Sequence, residues 1–427
     1  MNILHFATSD IIGGAAKASF RIHNLFKNQG HSSKLYVLYK KSKDNEVFQI
    51  KANVFSNNYL LKCLRSTLKY RLSLSKSSYM FNFNRGPSIN FASKSFQSEN
   101  HPDAIFLHWI TDFLTTESIR KIYQHYQCPI FWVMMDMEPI TGGCHYFFGC
   151  EGYKSQCQNC PQIMNRDWNN YPHTTWLEKC QNLQNLPIHF ICGSNELVNI
   201  VKDSSLFGEH PTIKIALPID IEIFHPFDQK SARALLKIPQ NKKVIFSGAS
   251  SLNDSRKGMT YLIDALHHLE RELIKNGDNL LDDIIFLFAG KEDNHLLDSL
   301  NIKIKRMGYI TDDHRLALAY QASDIFVSPS IEDAGPMMIS EAMLCGTPVV
   351  AFNIGMATEL IVHMKNGYIA KIGDSADLAM GIHYLLKSDC IADIKKSAEE
   401  TAKKVHSPEN VGNLYSDLFA SLMFQVS

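Results

Sequence analysis

Two acids with seven residues between them, Asp333 and Glu341, sit in the run Pro329-Ser330-Ile331-Glu332-Asp333-Ala334-Gly335-Pro336-Met337-Met338-Ile339-Ser340-Glu341-Ala342-Met343-Leu344-Cys345-Gly346-Thr347-Pro348-Val349-Val350. An apolar strand ends in an acidic loop, a Gly-Pro turn follows, and a short helix begins. Pro336 suits the first helical position because it has no N–H to lose there. The amides of Met337 and Met338 then point forward with the positive end of the helix dipole behind them, which makes an anion site. Carboxylates on either side of a bound phosphate can grip hydroxyls, so loop acid, amides and helix acid together suit a nucleotide-sugar. The bland alternative is a parallel-sheet crossover with solvated acids.

Other residues carry related chemistry. Gly13-Gly14 follows the first apolar strand and opens a helix at Ala15-Ala16-Lys17, where glycine lets backbone approach a ligand and leaves helix amides for phosphate. A plain turn is the alternative. Ser247-Gly248-Ala249 ends a strand and Arg256-Lys257-Gly258 opens the next helix, placing two cations where a departing diphosphate gains charge, or else in solvent at a helix start. His108 and Asp136 close two apolar strands at the edge where α/β proteins bind ligands, although a strand-end histidine also serves as a core residue. Cys144, Cys150, Cys157 and Cys160 fall within seventeen residues and could close around one tetrahedral structural zinc, with His145 as a substitute ligand. Plain reduced thiols and redox or iron–sulfur chemistry are the alternatives. Four thiolates would leave no open position for catalysis.

The elements that position these residues are short apolar strands alternating with helical stretches, which implies parallel sheets wrapped by helices. Strands are expected at about 2–8, 33–39, 104–108, 129–135 and 188–193 in the first half, and at 243–248, 284–290, 324–328 and 347–352 in the second. A chain of 427 residues is long for one core and comfortable for two domains. Lys+Arg and Asp+Glu balance at 43 each, so no global field argues for nucleic acid. The first residues read as a buried strand entering the Gly-Gly loop rather than as a secretion signal, and no apolar run approaches the ~20 residues of a spanning helix. This places the chain in the cytoplasm, with its ten cysteines as free thiols or metal ligands. The segment 57–77 holds Lys62, Arg65, Lys69, Arg71 and Lys76 among leucines and tyrosines, with no acid. On a helix this is a basic amphipathic face, either docked on anionic lipid or solvated over its own domain.

The run 329–350 resembles the donor-site motif of the GT-B retaining glycosyltransferases of family 4, with Asp333 at the first acid position, one carbon shorter than the usual glutamate, and Glu341 at the second. Lys257-Gly258 fits the same family's Lys-Gly, whereas the arginine that follows its strand-end glycine is here Ala249; Arg256 could supply that charge. Met135-Asp136 stands where many relatives have His-Asp. The segment 212–229, with two prolines, is similar to the family's interdomain hinge, and 136–146 resembles a subgroup from bacterial surface-polysaccharide clusters.

The resemblance implies an α/β fold of two Rossmann-like, doubly wound parallel-sheet domains facing an interdomain cleft. These are an acceptor domain at 1–225, a nucleotide-sugar domain at 226–408, and a closing helix at 409–427 that crosses back. It implies a metal-independent retaining transferase moving a hexose from a UDP- or GDP-sugar to a glycan or lipid-linked glycan in exopolysaccharide, capsule or O-antigen assembly, with peripheral contact to the cytoplasmic membrane face. The catalytic set would be Asp333, Lys257, Arg256, Glu341, His108 and Asp136. The donor would rest on Gly13, Gly14, Gly248, Lys257, Tyr309, Gly335, Pro336, Met337, Met338 and Glu341. A non-catalytic GT-B binding subunit and a GT-B nucleotide-sugar 2-epimerase are the alternatives.

Overall fold

Continuous apolar strands such as Asn2–Ser9, whose central six residues are all buried, belong in sheets covered on both faces. The computed structural model describes residues 1–50, 81, 82, 84–87, 89, 101–292, 295–335 and 337–426. The basic segment 57–77 lies outside the described residues, as does Pro336. The chain forms two compact units, 1–218 with 412–427, and 219–411.

Unit 1 contains β1 (Asn2–Ser9), β2 (Ser32–Tyr39), β3 (Val47–Gln49), β4 (Ala104–Leu107), β5 (Ile130–Val133), β6 (Ile188–Cys192) and β7 (Thr212–Lys214). They form one parallel sheet in the order β3-β2-β1-β4-β5-β6-β7. Its helices are α1 (Gly14–Asn28), α2 (Thr116–Tyr126), α3 (Tyr171–Leu183) and α4 (Asn195–Lys202). Two of them start where a side chain takes up a free amide: Thr115 accepts from Ser118 N, and Ser194 from Leu197 N.

Unit 2 contains β8 (Lys243–Ser251), β9 (Ile284–Lys291), β10 (Lys303–Arg306), β11 (Ile325–Ser328), β12 (Val349–Phe352) and β13 (Gly367–Ala370), parallel in the order β10-β9-β8-β11-β12-β13. Its helices are α5 (Gln229–Leu235), α6 (Met259–Lys275), α7 (Leu280–Asp283), α8 (Asp313–Ala322), α9 (Met337–Leu344), α10 (Met356–Leu360), α11 (Ser375–Lys387) and α12 (Ile391–His406). Successive strand residues feed opposite faces of this sheet, as a period of two requires. Phe246, Leu287 and Phe326 pack with Ile339 and Met343, whereas Ile245, Phe286 and Val327 pack with Leu262 and Leu266. Both sheets are thus doubly wound, with the order reversing between β1 and β4 and between β8 and β11.

The first unit ends at Pro218 rather than near 225. Ile219 and Phe224 are buried in the core of unit 2, so the proline-bearing segment divides after Pro218 and its remainder starts that unit. The last helix, α13 (Pro408–Val426), contributes residues from 412 onward to unit 1. Its Tyr415 stands edge-on to Phe26 at 5.0 Å, and Phe419 lies against Phe106 and Phe131.

Candidate functional site

In unit 2, β8 runs three residues past Gly248, with an irregular register at Ala249 and Ser251. Asp254 then accepts from Arg256 N and caps a single 3-10 turn, Ser255–Lys257. Gly258 closes that turn at φ 63, and a Cβ there would lie 1.8 Å from Pro329 O. Only glycine meets both demands. The close approach presses residues 256–258 onto the end of β11, where Ile331 N donates to Arg256 O at 2.8 Å.

This contact brings together residues far apart in sequence. Lys257 Nζ donates to Asp333 Oδ2, whose other oxygen accepts from Gly335 N at 3.2 Å. Burial alone would raise the Asp333 carboxyl, but the Lys257 ammonium overcomes it and holds the group below the ordinary carboxylate value. Arg256 is buried and its guanidinium donates to Asp254 Oδ2 at 2.6 Å. The same charge also helps to hold the Asp333 carboxyl down, behind the larger effect of Lys257.

Gly248 and Met338 are also neighbours: a Cβ on Gly248 would stand 2.8 Å from Ala289 O and 3.0 Å from Met338 Cε. The glycine therefore lets the first turn of α9 come down onto β8. Gly335 and Met337 flank that helix start, and Gly346 at φ 71 ends it in the left-handed region, as expected. Glu341, on α9, is buried and accepts from the Tyr320 hydroxyl at 3.4 Å. Burial, and then the Glu341 charge, push the Tyr320 phenol well up, so it remains a donor. The spacing of Tyr320 gives no sign that its hydroxyl reaches Glu341. Tyr309 is exposed, with the Lys291 ammonium 5.8 Å from its ring centroid.

In unit 1, Gly13 caps α1 at φ 92, and a Cβ on Gly13 or Gly14 would meet nothing within 4 Å. The loop is held from behind by Asp10, a residue sequence reasoning passed over. Its buried carboxylate accepts from Ile11 N at 2.9 Å, Lys41 N at 3.0 Å and Ser42 N at 2.7 Å. The only sequence signal was an acid between a strand and a glycine pair.

His108 turns inward. It is buried with its Nε2 3.0 Å from His5 Nδ1, and burial lowers its pKa to about 3. A buried neutral ring in that setting is poorly placed to meet an acceptor. Asp136 is likewise occupied. Its Oδ2 accepts from Trp109 Nε1 at 2.8 Å and His145 Nδ1 at 2.6 Å, and its Oδ1 from Glu138 N at 2.9 Å. Burial would lower His145, but Asp136 outweighs it and raises the ring's pKa. The following turn, Glu138–Ile140, is clamped by buried Lys179, which donates to Glu138 Oε1 at 2.8 Å, Thr141 O at 3.0 Å and Pro139 O at 3.3 Å.

The expected zinc set does not form. Among the described residues no three His, Cys, Asp or Glu side chains converge to hold a metal. Cys157 Sγ instead accepts from Gly142 N at 3.1 Å, Cys150 Sγ from Gly152 N at 3.4 Å, and burial pushes the Cys157 thiol up to about 11. Phe147 stacks on Tyr153 at 4.2 Å in the same loop, and the backbone of Cys144 bridges to that of Phe81. Among the described residues no helix is long and apolar enough to cross a membrane.

Two Rossmann-like, doubly wound parallel-sheet units give the chain the GT-B fold class. Residues 228–405 match the family model described as glycosyl transferases group 1. The chain is 24% identical over 382 residues to the putative colanic acid biosynthesis glycosyl transferase WcaC of Escherichia coli, covering 84% of this chain and 85% of that one. Phosphatidyl-myo-inositol mannosyltransferase of Mycobacterium leprae is 32% identical over 170 residues, 38% of this chain and 42% of the relative. Among solved structures, sucrose-phosphate synthase from Thermosynechococcus elongatus superposes with a TM-score of 0.69 at 15% identity over all of both chains. Anabaena HepE in complex with UDP and glucose gives 0.64 at 17% identity, over 99% of this chain and all of that one.

Proposed function

We propose that the chain transfers a hexose, with retention of anomeric configuration, from a UDP- or GDP-sugar to a glycan or lipid-linked glycan acceptor during surface-polysaccharide assembly. The observation that carries this is the Lys257–Asp333 pair at the start of α9, inside the segment that matches the family. The donor's diphosphate competes with Asp333 for Lys257 and lies against the amides of Met337 and Met338; the released Asp333 accepts hydroxyls of the sugar. Glu341, steadied by Tyr320, takes the ribose hydroxyls. As the bond to the leaving phosphate stretches, negative charge grows beside Lys257, and a preorganised cation lowers that barrier most. The leaving phosphate takes the acceptor's proton on the same face, so no strong protein base is required and no divalent cation is needed for charge. Support for the polysaccharide context comes from the Escherichia coli relative, and for the donor class from the nucleotide bound by Anabaena HepE.

The test is a thermal-shift panel of UDP-, GDP- and ADP-sugars with and without EDTA, since a ligand that binds only the folded state stabilises it by mass action. Glu341→Ala should abolish the shift and Lys257→Ala should weaken it strongly; unchanged shifts in both variants rule the donor site out. Ala249, standing where the family motif has an arginine, favours a second reading: a GT-B subunit that binds nucleotide without chemistry. That reading predicts the same shifts with neither transfer nor donor hydrolysis.

A further inference from the structure

The loops after β4 and β5 lie at the carboxyl edge of the unit 1 sheet, β4 being the strand at which the order reverses. Two residues past β4 is Trp109, half-buried, its indole N–H fixed on Asp136. That carboxylate is itself held by His145 and by the amide of Glu138, and the turn behind it is clamped by Lys179. His145 also stands 5.8 Å from the indole at 40°, with its Nε2 3.5 Å from Thr111 Oγ1. A chain of buried polar contacts thus serves to orient one partly open aromatic ring. Three residues on, Asp112 is exposed and adopts φ 61, a left-handed conformation that costs a non-glycine residue free energy and that gathers at functional sites.

A rigid indole face and an exposed carboxylate on one short loop have a definite ligand chemistry. The C–H face of a pyranose packs on the ring while adjacent hydroxyls donate to the carboxylate. Arg85 and His145 lie within electrostatic reach of Asp112 and offset its charge, so the indole face and the accepting carboxylate together fit a hydroxyl-rich ring. We propose that Trp109 and Asp112 form a sugar subsite on unit 1 that takes a pyranose of the acceptor, with Asp136, His145 and Lys179 as its positioning residues. Only the word acceptor rests on the transferase reading; the subsite itself does not.

Saturation-transfer NMR on the full chain tests it, with the methyl α-glycosides of glucose, galactose, mannose and N-acetylglucosamine as probes. At least one glycoside should receive saturation. The affinity should fall about tenfold in Trp109→Ala, the loss of roughly one good contact, be rescued by Trp109→Phe, and fall severalfold in Asp112→Asn. Asp136→Asn, which loosens the indole without touching the sugar, should weaken binding while the UDP- or GDP-induced thermal shift persists. Asp112 is exposed and Trp109→Phe is conservative, so both carry the test if Trp109→Ala fails to fold. No binding by any of the four glycosides overturns the proposal, as does wild-type affinity in both Asp112→Asn and Trp109→Ala. Glycoside binding without any nucleotide shift would sink the donor reading alone; nucleotide shifts without glycoside binding would sink the subsite alone.

Discussion

Replacing Gly258 by alanine separates two costs that the structure assigns to this position. The first is conformational: at φ 63 a Cβ costs roughly 1–2 kcal/mol. The second is steric, because that Cβ would lie 1.8 Å from Pro329 O, far inside the ~3.5 Å of an ordinary contact. Backbone on both sides must move to relieve it, at a further 1–3 kcal/mol or so. For a unit of this size each kcal/mol lowers Tm by about 2–4 °C, so the transition of unit 2 should fall by roughly 4–20 °C. Gly277 is the control, with the same φ of 63 and nothing within 4 Å of its Cβ; Gly277→Ala should show the first cost only. Calorimetry measures both variants, and a titration with the stabilising nucleotide-sugar reads the site. Separating residues 256–258 from Pro329 parts Lys257 from Asp333, so Gly258→Ala should also lose most of the nucleotide shift while Gly277→Ala keeps it. If the two variants melt together and bind alike, the claim that this close approach assembles the Lys257–Asp333 pair is refuted.

Lys179→Ala should destabilise unit 1 by about 3–5 kcal/mol, because the Glu138 carboxylate and three carbonyls are left buried without their cation; urea unfolding followed by tryptophan fluorescence measures it, and a loss below ~1 kcal/mol would show the clamp to be dispensable. Acid should weaken unit 1 well before its carboxylates titrate. Burial holds His5 far below its usual value, His23 at about 4 and His108 at about 3. The unfolded chain takes those protons near pH 6.5, so this stability is complete above that value and drains away as pH falls from it toward 4. His145, raised by Asp136, works in the opposite sense and stabilises below its own folded pKa, but it stands against these three and against His31, His189 and His210, which burial also lowers. The urea midpoint should be lower near pH 5 than near pH 7.5, and an equal or higher value at the acid end would contradict this balance.

The nine strands expected from sequence are all present, to within about three residues at either end, because each is an apolar run buried on both faces. The four that went unread are Val47–Gln49, Thr212–Lys214, Lys303–Arg306 and Gly367–Ala370. Each is short, and each lies at a sheet edge, where partial exposure removes the continuous apolar signal; Lys303–Arg306 alternates with charge, and Gly367 follows Asn366 in a turn-forming pair. The Lys257–Gly258 and Asp333–Glu341 motifs were legible because local turn and helix chemistry fixes them. Tertiary partners were not. Nothing in the spacing shows that Asp254 claims Arg256, that His108 turns toward His5, or that Asp136 gathers Trp109 and His145. The cysteines meet the same limit: their spacing permits a tetrahedral set but does not show that the amides of Gly142 and Gly152 reach the sulfurs of Cys157 and Cys150.

Unit 1 is written in two pieces, with the whole of unit 2 between them. On a ribosome its first 218 residues emerge without the ring pair Tyr415 and Phe419 that closes over Phe26 and Phe106. At about 5–20 residues per second, the intervening ~190 residues take roughly 10–40 s to synthesise. For that interval an unfinished sheet carries an uncovered aromatic patch, which gives chaperones a defined period in which to hold the nascent chain and makes the last few turns of α13 the step that ends it.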